Sequence, residues 1–263
     1  MMRALWSAAS GMISQQAHMD VVSNNLANVN TYGGKKIRAE FQDLIHQTLR
    51  EAGAESGADS QYPTALQIGL GAKLAATEYI FTQGPLQRTD KYTDIGIEGD
   101  GFFRITMPDG STAYTRDGTF KLDRDRRMVT TDGYPLADNI TIDQNAPDNS
   151  IVISGDGRVS CTPAGGEQGV VGQITLARFT NPAGLTPLGK NLFAVSAASG
   201  EAIESNPGEE GAGTLAQGTL EMSNVQVVEE MVEMIVSQRA YESNSKAVIT
   251  SDSMLEIANG LKR

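Results

Sequence analysis

The side chains that could do acid–base or metal chemistry are few and scattered in this sequence. His18 and His46 are its two histidines, and no matching set of nucleophile and carboxylate accompanies either one. Asp123 and Asp125 have the spacing that opens a calcium-binding loop, but the glycine and the distal glutamate that such a loop requires are missing. We therefore interpret the histidines as solvated or packing residues and the aspartates as turn carboxylates.

The remaining candidates for chemistry are one cysteine and two glycine-rich pieces. Cys161 stands alone, so it can form no internal disulfide, and no activating partner is evident for its thiol. Gly69-Leu70-Gly71 and Gly99-Asp100-Gly101 lack the Lys-Ser/Thr of a phosphate-binding loop and fit hairpin turns better. The net charge of −11, with no basic cluster larger than Lys35-Lys36-Ile37-Arg38, argues against nucleic-acid binding. The sequence thus predicts no catalytic residue, cofactor, metal site or small-molecule substrate.

Two long apolar heptad patterns occupy the ends of the chain. All nine prolines lie between Pro63 and Pro207, which leaves both ends free of the strongest helix breaker. The pattern from Leu5 to Val29 predicts one long amphipathic helix, and the pattern from Ser223 to Lys262 predicts a second. We call their apolar positions the seam residues: Leu5, Met12, Met19, Val22, Leu26 and Val29 in the first helix, and Val227, Met231, Met234, Tyr241, Val248 and Leu255 in the last.

Four asparagines crowd the end of the first predicted helix. They are Asn24, Asn25, Asn28 and Asn30, and Gly33-Gly34 follows them. Asparagine tolerates left-handed backbone and bonds locally, so capping and chain reversal are favoured here over a role in contacts.

The middle of the chain reads as a different class of structure. From Leu66 to Leu220 short stretches of alternating apolar residues are separated by five Asp-Gly pairs, the residues that two-residue hairpin turns require. Residues 38–49 have helical spacing, and residues 51–62 read as a linker or extended arm. We predict an α+β fold in which terminal helices at 1–34 and 221–263 form a coiled-coil domain. A short helix and arm at 35–65 lead to an antiparallel β-rich domain at 66–220.

The two seams predict assembly. A heptad row is often the core of a bundle within one chain, but one antiparallel pairing cannot cover both seams across an intervening β-domain. The ends also differ in charge, with five basic against three acidic residues in 1–50 and four against eleven in 201–263. An exposed lengthwise apolar face favours heterologous contacts, which build filaments or tubes when the rotation does not close.

Serines interrupt the apolar stretch near the N-terminus, so no cleaved signal peptide is predicted, and no segment approaches the roughly 20 apolar residues of a membrane span. Any export is expected to use a route that reads no cleaved signal.

Long stretches at both ends resemble the bacterial flagellar axial proteins, the rod and hook family. They are SAASGMISQQAHMDVVSNNLANVNTYGGKK (7–36) and LEMSNVQVVEEMVEMIVSQRAYESNSKAVITSDSML (220–255), and the middle, at 66–105 and 113–120, is most similar to the distal-rod branch. Tyr32-Gly33-Gly34 departs from the family pattern, which commonly has an aromatic residue after the first glycine. The residues that match the family motif are Ser23, Asn24, Asn25, Leu26, Ala27 and Asn28, and then Gln238, Arg239, Ala240, Tyr241, Asn244, Ser245 and Lys246.

The resemblance implies a non-enzymatic structural subunit. Such subunits are exported unfolded by the flagellar type III apparatus and polymerise into a hollow tube, with their terminal helices as an inner coiled coil and the β-domain outside. It also implies contacts with other rod proteins, with hook or hook-junction proteins, and with the surrounding outer-membrane and peptidoglycan rings. Residues 47–66 correspond to a stretch associated with a straight, stiff tube. The alternatives are a proximal rod or hook-type member of the family, and, in another class, a soluble β-domain enzyme or carbohydrate-binding protein with helical arms.

Overall fold

The computed structural model describes residues 2–53, 55–57, 60–143, 146–147, 150–163 and 169–260. In this part of the chain two α-helices, α1 (Met2–Ala27) and α2 (Val227–Gly260), flank a β-rich middle that also holds a 3-10 helix at Pro182–Gly184. The strands are β1 (Lys36–Asp43), β2 (His46–Arg50), β3 (Glu55–Gly57), β4 (Ser60–Gln61), β5 (Leu66–Gly69), β6 (Ala72–Ile80), β7 (Leu86–Arg88), β8 (Ile95–Glu98), β9 (Phe102–Thr106), β10 (Thr112–Thr115), β11 (Lys121–Leu122), β12 (Met128–Val129), β13 (Ile151–Ile153), β14 (Arg158–Cys161), β15 (Gly169–Gln173), β16 (Leu176–Arg178), β17 (Thr186–Gly189), β18 (Leu192–Ala194), β19 (Ile203–Ser205), β20 (Thr214–Gln217) and β21 (Thr219–Glu221).

The chain divides into two compact units. The first, which we call the helical unit, comprises Met1–Leu26, Ile37–Glu78 and Gln226–Arg263. The second, the β unit, comprises Ala27–Lys36 and Tyr79–Val225. The predicted order of helix, β-rich region and helix is therefore confirmed, whereas pairing of the helices as a coiled coil remains a prediction.

A two-stranded ribbon accompanies the helices in the helical unit. Three nested antiparallel pairs, β1 with β6, β2 with β5 and β3 with β4, extend one hairpin outward. The prediction of a short helix within residues 38–49 is wrong, because this segment forms β1 and β2. Its apolar spacing fits a helix, but pairing with the alternating residues of β5 and β6 decides the structure.

The alternating apolar residues that follow Leu66 form two strands, because the chain is interrupted at Leu70-Gly71 between β5 and β6. Gly71 has φ of +119°, and a side chain there would overlap Ser10 of α1, since a built Cβ lies 1.9 Å from its Oγ. Leu44 N donates to the Gly71 carbonyl at 2.8 Å and closes the kink. A glycine is required here because the backbone passes against the helix.

The β unit is organised around a six-stranded antiparallel sheet in the order β17-β18-β10-β9-β16-β19. Its main hydrophobic cluster includes Phe103 and Phe120, which meet edge to face at 5.1 Å among buried isoleucines and leucines. Three of the five Asp-Gly pairs, at Asp109, Asp132 and Asp156, form hairpin turns with glycine φ near +83°. The prediction fails at Asp100, whose turn joins strands of different sheets, and at Asp117, whose glycine has no positive φ.

Candidate assembly interface

The residues singled out for chemistry are dispersed in the structure. His18 Nε2 lies 3.7 Å from Glu233 Oε2, and His46 on β2 is exposed beside Asp43. Cys161 is buried in β14. Among the described residues no group of three or more His, Cys, Asp or Glu could hold a metal ion. Within the same residues neither helix is both long and apolar enough to cross a membrane.

The contacts between α1 and α2 run antiparallel and use polar and small residues. Asn25 Nδ2 donates to Glu230 Oε2 at 3.0 Å near one end. At the other end a Cβ built on Gly11 lies 2.8 Å from Asn244 Nδ2, so the helices approach closely there. Glu230 is 0% exposed and Ser237 is also buried, one heptad apart on α2. The covered row of α2 is therefore centred on Glu230, Ser237 and Asn244.

The seam residues are only partly covered within the helical unit. Val22 is buried, and Met234, Val248 and Leu255 are half-buried. Leu5, Met12, Met19 and Leu26 are also half-buried, as is Val29, which belongs to the β unit. Val227, Met231 and Tyr241 are exposed. The seam therefore lies at the border of the covered row and extends onto open surface.

A larger apolar surface lies beyond the predicted seam. On α2 it consists of exposed branched and methionine side chains at both ends, separated by the exposed pair Arg239–Glu242. On α1 it consists of Met2, Trp6, which is 70% exposed, and Ile13. A heptad count in a single register misses this surface. A count of the apolar residues at helix positions on both sides of the seam would have revealed it. We call it the outer face: Met2, Trp6, Ile13, Val228, Val232, Ile235, Val236, Ile249, Met254 and Ile257.

Asn25 has a contact role, which corrects the interpretation of this residue as a cap. Its Nδ2 also donates to the Ile37 carbonyl at 2.8 Å, and its Oδ1 accepts from Ile37 N at 2.9 Å. The side chain thereby satisfies both backbone groups of one residue at the start of β1 while it bonds Glu230. Asn25 consequently joins three segments of the helical unit. Asn28 is different, because its carbonyl closes the turn with Thr31 N at 3.1 Å.

The ribbon carries an apolar face of its own. Cross-strand partners in an antiparallel pair point to the same side, so the register Gln47↔Ile68 and His46↔Gly69 puts Ile45 beside Leu70 and Ile68. Ile45 is 83% exposed, and its apolar neighbours on the ribbon are exposed too. This face combines Ile45, from the segment predicted to be a short helix, with Ile68 and Leu70, from the start of the predicted β-rich domain.

The β unit contains a buried ionic cluster that sequence reasoning missed. Glu221 accepts from Lys35 Nζ at 2.6 Å and from Arg116 Nε at 2.7 Å, and all three side chains are at most 2% exposed. Burial lowers the pKa of Lys35 to about 8, and the adjacent Arg116 guanidinium adds to this effect against the opposing pull of Glu221. No sequence pattern indicates the cluster, because Lys35 and Glu221 are 186 residues apart.

Family models match three parts of this chain, and known proteins match it along its whole length. The family models "Flagella basal body rod protein", "Flagellar hook protein FlgE/F/G D1 domain" and "Flagellar basal body rod FlgEFG protein C-terminal" match residues 5–35, 96–161 and 216–261. The flagellar basal-body rod protein FlgG of Borreliella burgdorferi is 55% identical over 264 residues, covering 100% of both chains. The proteins of the same name from Caulobacter vibrioides (99% of this chain, 100% of that one) and Bacillus subtilis (100% of both) are 47% and 43% identical.

Proposed function

This chain belongs to the family of flagellar basal-body rod proteins, a structural subunit of the flagellar rod, and we propose that it builds the distal rod by self-assembly through its terminal helices. The product is a hollow, rigid helical tube that transmits motor torque to the hook. Membership in the family confirms the resemblance seen in the sequence, and nothing supports the alternative of a soluble enzyme or carbohydrate-binding protein.

The observation that carries the assembly mechanism is the distribution of polar and apolar side chains on the two helices. Their mutual contacts use polar groups such as Asn25 and Glu230, while the large apolar side chains of the outer face are open to water. Burying one such side chain contributes about 1.5–3 kcal/mol, so ten of them form a strong association surface. Neighbouring copies supply the missing cover.

Contacts of this kind build an open polymer when the rotation between successive copies does not close. The outer face and the seam residues lie along helices of 26 and 34 residues. A heterologous contact between unlike helix surfaces leaves the same surfaces free on the next copy, so growth continues. Load is then distributed over many interdigitated side chains, as a torque-bearing tube requires.

The ribbon gives the tube a second set of contacts. A two-stranded hairpin is marginally stable alone, and the apolar face around Ile45 and Ile68 is uncovered. We infer that this face packs on an adjacent subunit, which would stiffen the tube. The same segment, together with the rest of 47–105, distinguishes the distal rod from the runner-up, a proximal rod or hook-type member of the family.

The proposed partners follow from this place in the flagellum. They are further copies of the chain, other rod proteins, hook or hook-junction proteins, and the outer-membrane and peptidoglycan rings as a surrounding bushing. We propose export by the flagellar type III apparatus without a cleaved signal peptide, and a final location in the rod that spans the periplasm. The role needs no catalysis, cofactor or small-molecule substrate.

The test replaces part of the outer face by polar residues of similar helix propensity. In Val232→Ser/Ile235→Ser/Val236→Ser the monomer should keep its circular dichroism spectrum and melting temperature, because these side chains are already exposed. Assembly of the purified protein, seen by electron microscopy, and swimming of cells complemented with the variant should both be lost.

A matched control changes three exposed valines of the β unit, in Val152→Ser/Val170→Ser/Val195→Ser. This variant should assemble and support swimming. Normal motility with the helical variant, or equal loss with both variants, would refute assembly through the helices.

A further inference from the structure

The chain crosses between the helical unit and the β unit at four points. The chain passes between the two units after residues 26, 36, 78 and 225. Within the β unit, three segments border the last three of these crossings: residues 33–36, 80–84 and 221–224. We call the hydrogen-bonded assembly of these three segments the junction.

Glu221 lies at the centre of the junction. One carboxylate oxygen accepts from Lys35 Nζ at 2.6 Å and from Gly84 N at 2.8 Å, and the other accepts from Arg116 Nε at 2.7 Å. Its backbone carbonyl accepts from Gly33 N at 2.8 Å. The side chain is 1% exposed, so water does not compete for these bonds. Glu221 therefore joins all three segments to the body of the β unit.

Asn224, three residues after Glu221, connects the same segments. Its Oδ1 accepts from Lys36 N at 2.7 Å. Its Nδ2 donates to the carbonyls of Ile80 and Thr82 at 2.8 and 3.1 Å, and the Thr82 carbonyl also accepts from Lys35 Nζ at 2.9 Å. Two side chains on the segment that leads into α2 thus hold the other two segments.

A buried ionic group of this kind is a poor source of stability, because desolvation of the charges offsets their attraction. What it provides is geometry: charge-assisted bonds are short and directional. Both carboxylate oxygens of Glu221 accept hydrogen bonds. A neutral amide cannot replace the carboxylate, because its NH2 group would then face one of these donors.

We propose that Glu221 and Asn224 are positioning residues that bind the three segments into one rigid junction, so that the last three chain crossings of the β unit move together. The mechanical meaning of the junction rests on the proposed function, because force passing along the chain at these three crossings must go through these segments. The bonds themselves are present in the monomer.

The test measures whether the two residues act as one device. In the purified monomer, hydrogen exchange is followed at the amides of Gly84, which bonds Glu221, and Lys36, which bonds Asn224. Glu221→Gln should accelerate exchange of the Lys36 amide at least tenfold, although Asn224 Oδ1, the acceptor of that amide, is unchanged. Asn224→Ala should likewise accelerate the Gly84 amide. The amides of β9 and β10 should keep their wild-type rates.

The control is the same isosteric change at a second ion pair of the β unit, which is half-buried. Asp138 accepts from Arg104 Nη2 at 2.6 Å and from Thr175 N at 3.0 Å, so Asp138→Asn also leaves donors facing an amide. This variant should leave Gly84 and Lys36 protected. Should Glu221→Gln fail to fold, Lys35→Met removes one cation, keeps the Arg116 bond and gives the same readout.

Acceleration confined to the amide whose own acceptor was removed would overturn the proposal, and so would uniform acceleration throughout the β unit. Because the exchange is measured on the monomer, its outcome does not depend on rod formation. Failure of the proposed function would show separately, as normal swimming without assembly-competent helices.

Discussion

The β unit buries most of its large apolar side chains, whereas the helices of the helical unit leave many of theirs exposed. Phe103 and Phe120 are fully buried in the β unit, while Val232 and Trp6 are open to water on the helices. The contact between α1 and α2 is made instead by Asn25, Glu230 and their polar neighbours. The β unit thus covers its main core within one chain, and we propose that other copies cover the helical unit.

The largest expected effect contrasts one aromatic residue from each unit. Phe103→Ala should lower the free energy of unfolding of the β unit by about 3–5 kcal/mol, because it removes a ring packed edge to face on Phe120. Trp6→Ala should change monomer stability by less than about 0.5 kcal/mol, since its side chain is exposed. Urea titration of the monomeric variants measures both. A large loss of monomer stability with Trp6→Ala would erase the contrast between the units.

The helices could be predicted because their signal is local. The patterns from Leu5 and from Ser223 correspond to α1 (Met2–Ala27) and α2 (Val227–Gly260) with small shifts at the ends. The central β-rich region was equally accessible through its alternation and Asp-Gly turns. Which face of α2 is covered could not be predicted, because a heptad count ranks positions by apolarity, whereas the covered row contains Glu230 and Ser237.

The parts that sequence reasoning missed depend on residues distant in the chain. Residues 38–49 have helical spacing, and only the partner strands β5 and β6 make them a ribbon. The cluster of Lys35, Arg116 and Glu221 combines residues 105 and 186 positions apart, and nothing in the local sequence around any of them indicates the others. One-dimensional patterns report period and propensity but contain no pairing information.

The second prediction concerns the buried ionic cluster of the β unit. Lys35 has a pKa of about 8 in the folded chain against 10.5 when unfolded, so between these values the unfolded state binds more protons. The stability of the β unit should therefore rise with pH across this window, by at most about 3 kcal/mol, and this contribution should be lost as pH falls from 10.5 to about 8.

The measurement is the difference between wild type and Lys35→Met in the free energy of unfolding between pH 8 and pH 10. Burial raises the pKa values of Tyr79 and Tyr114, which gives the opposite slope above pH 10, so the comparison stops there. The wild type should gain stability relative to the variant as pH rises. Parallel curves would show that Lys35 keeps its ordinary affinity for protons.

The smallest effect tests whether the polar contact of the helices orders them before assembly. Asn25→Ala deprives the partly buried Ile37 N–H and carbonyl of their Asn25 partners and removes the buried donor to Glu230. Leaving such groups unsatisfied should cost the helical unit about 1–3 kcal/mol, seen as faster amide exchange in α1 and α2 with the β unit unchanged. Asn30→Ala, an exposed change beyond the end of α1, is the control and should leave exchange at the wild-type rate. If Asn25→Ala also leaves it unchanged, the helices are not held by this contact in the monomer, and their order must come entirely from neighbouring subunits. If Asn25→Ala accelerates exchange in both helices as expected, the polar contacts order the helix pair before assembly. In the proposed mechanism, the outer face then meets the next copy with its side chains already in position.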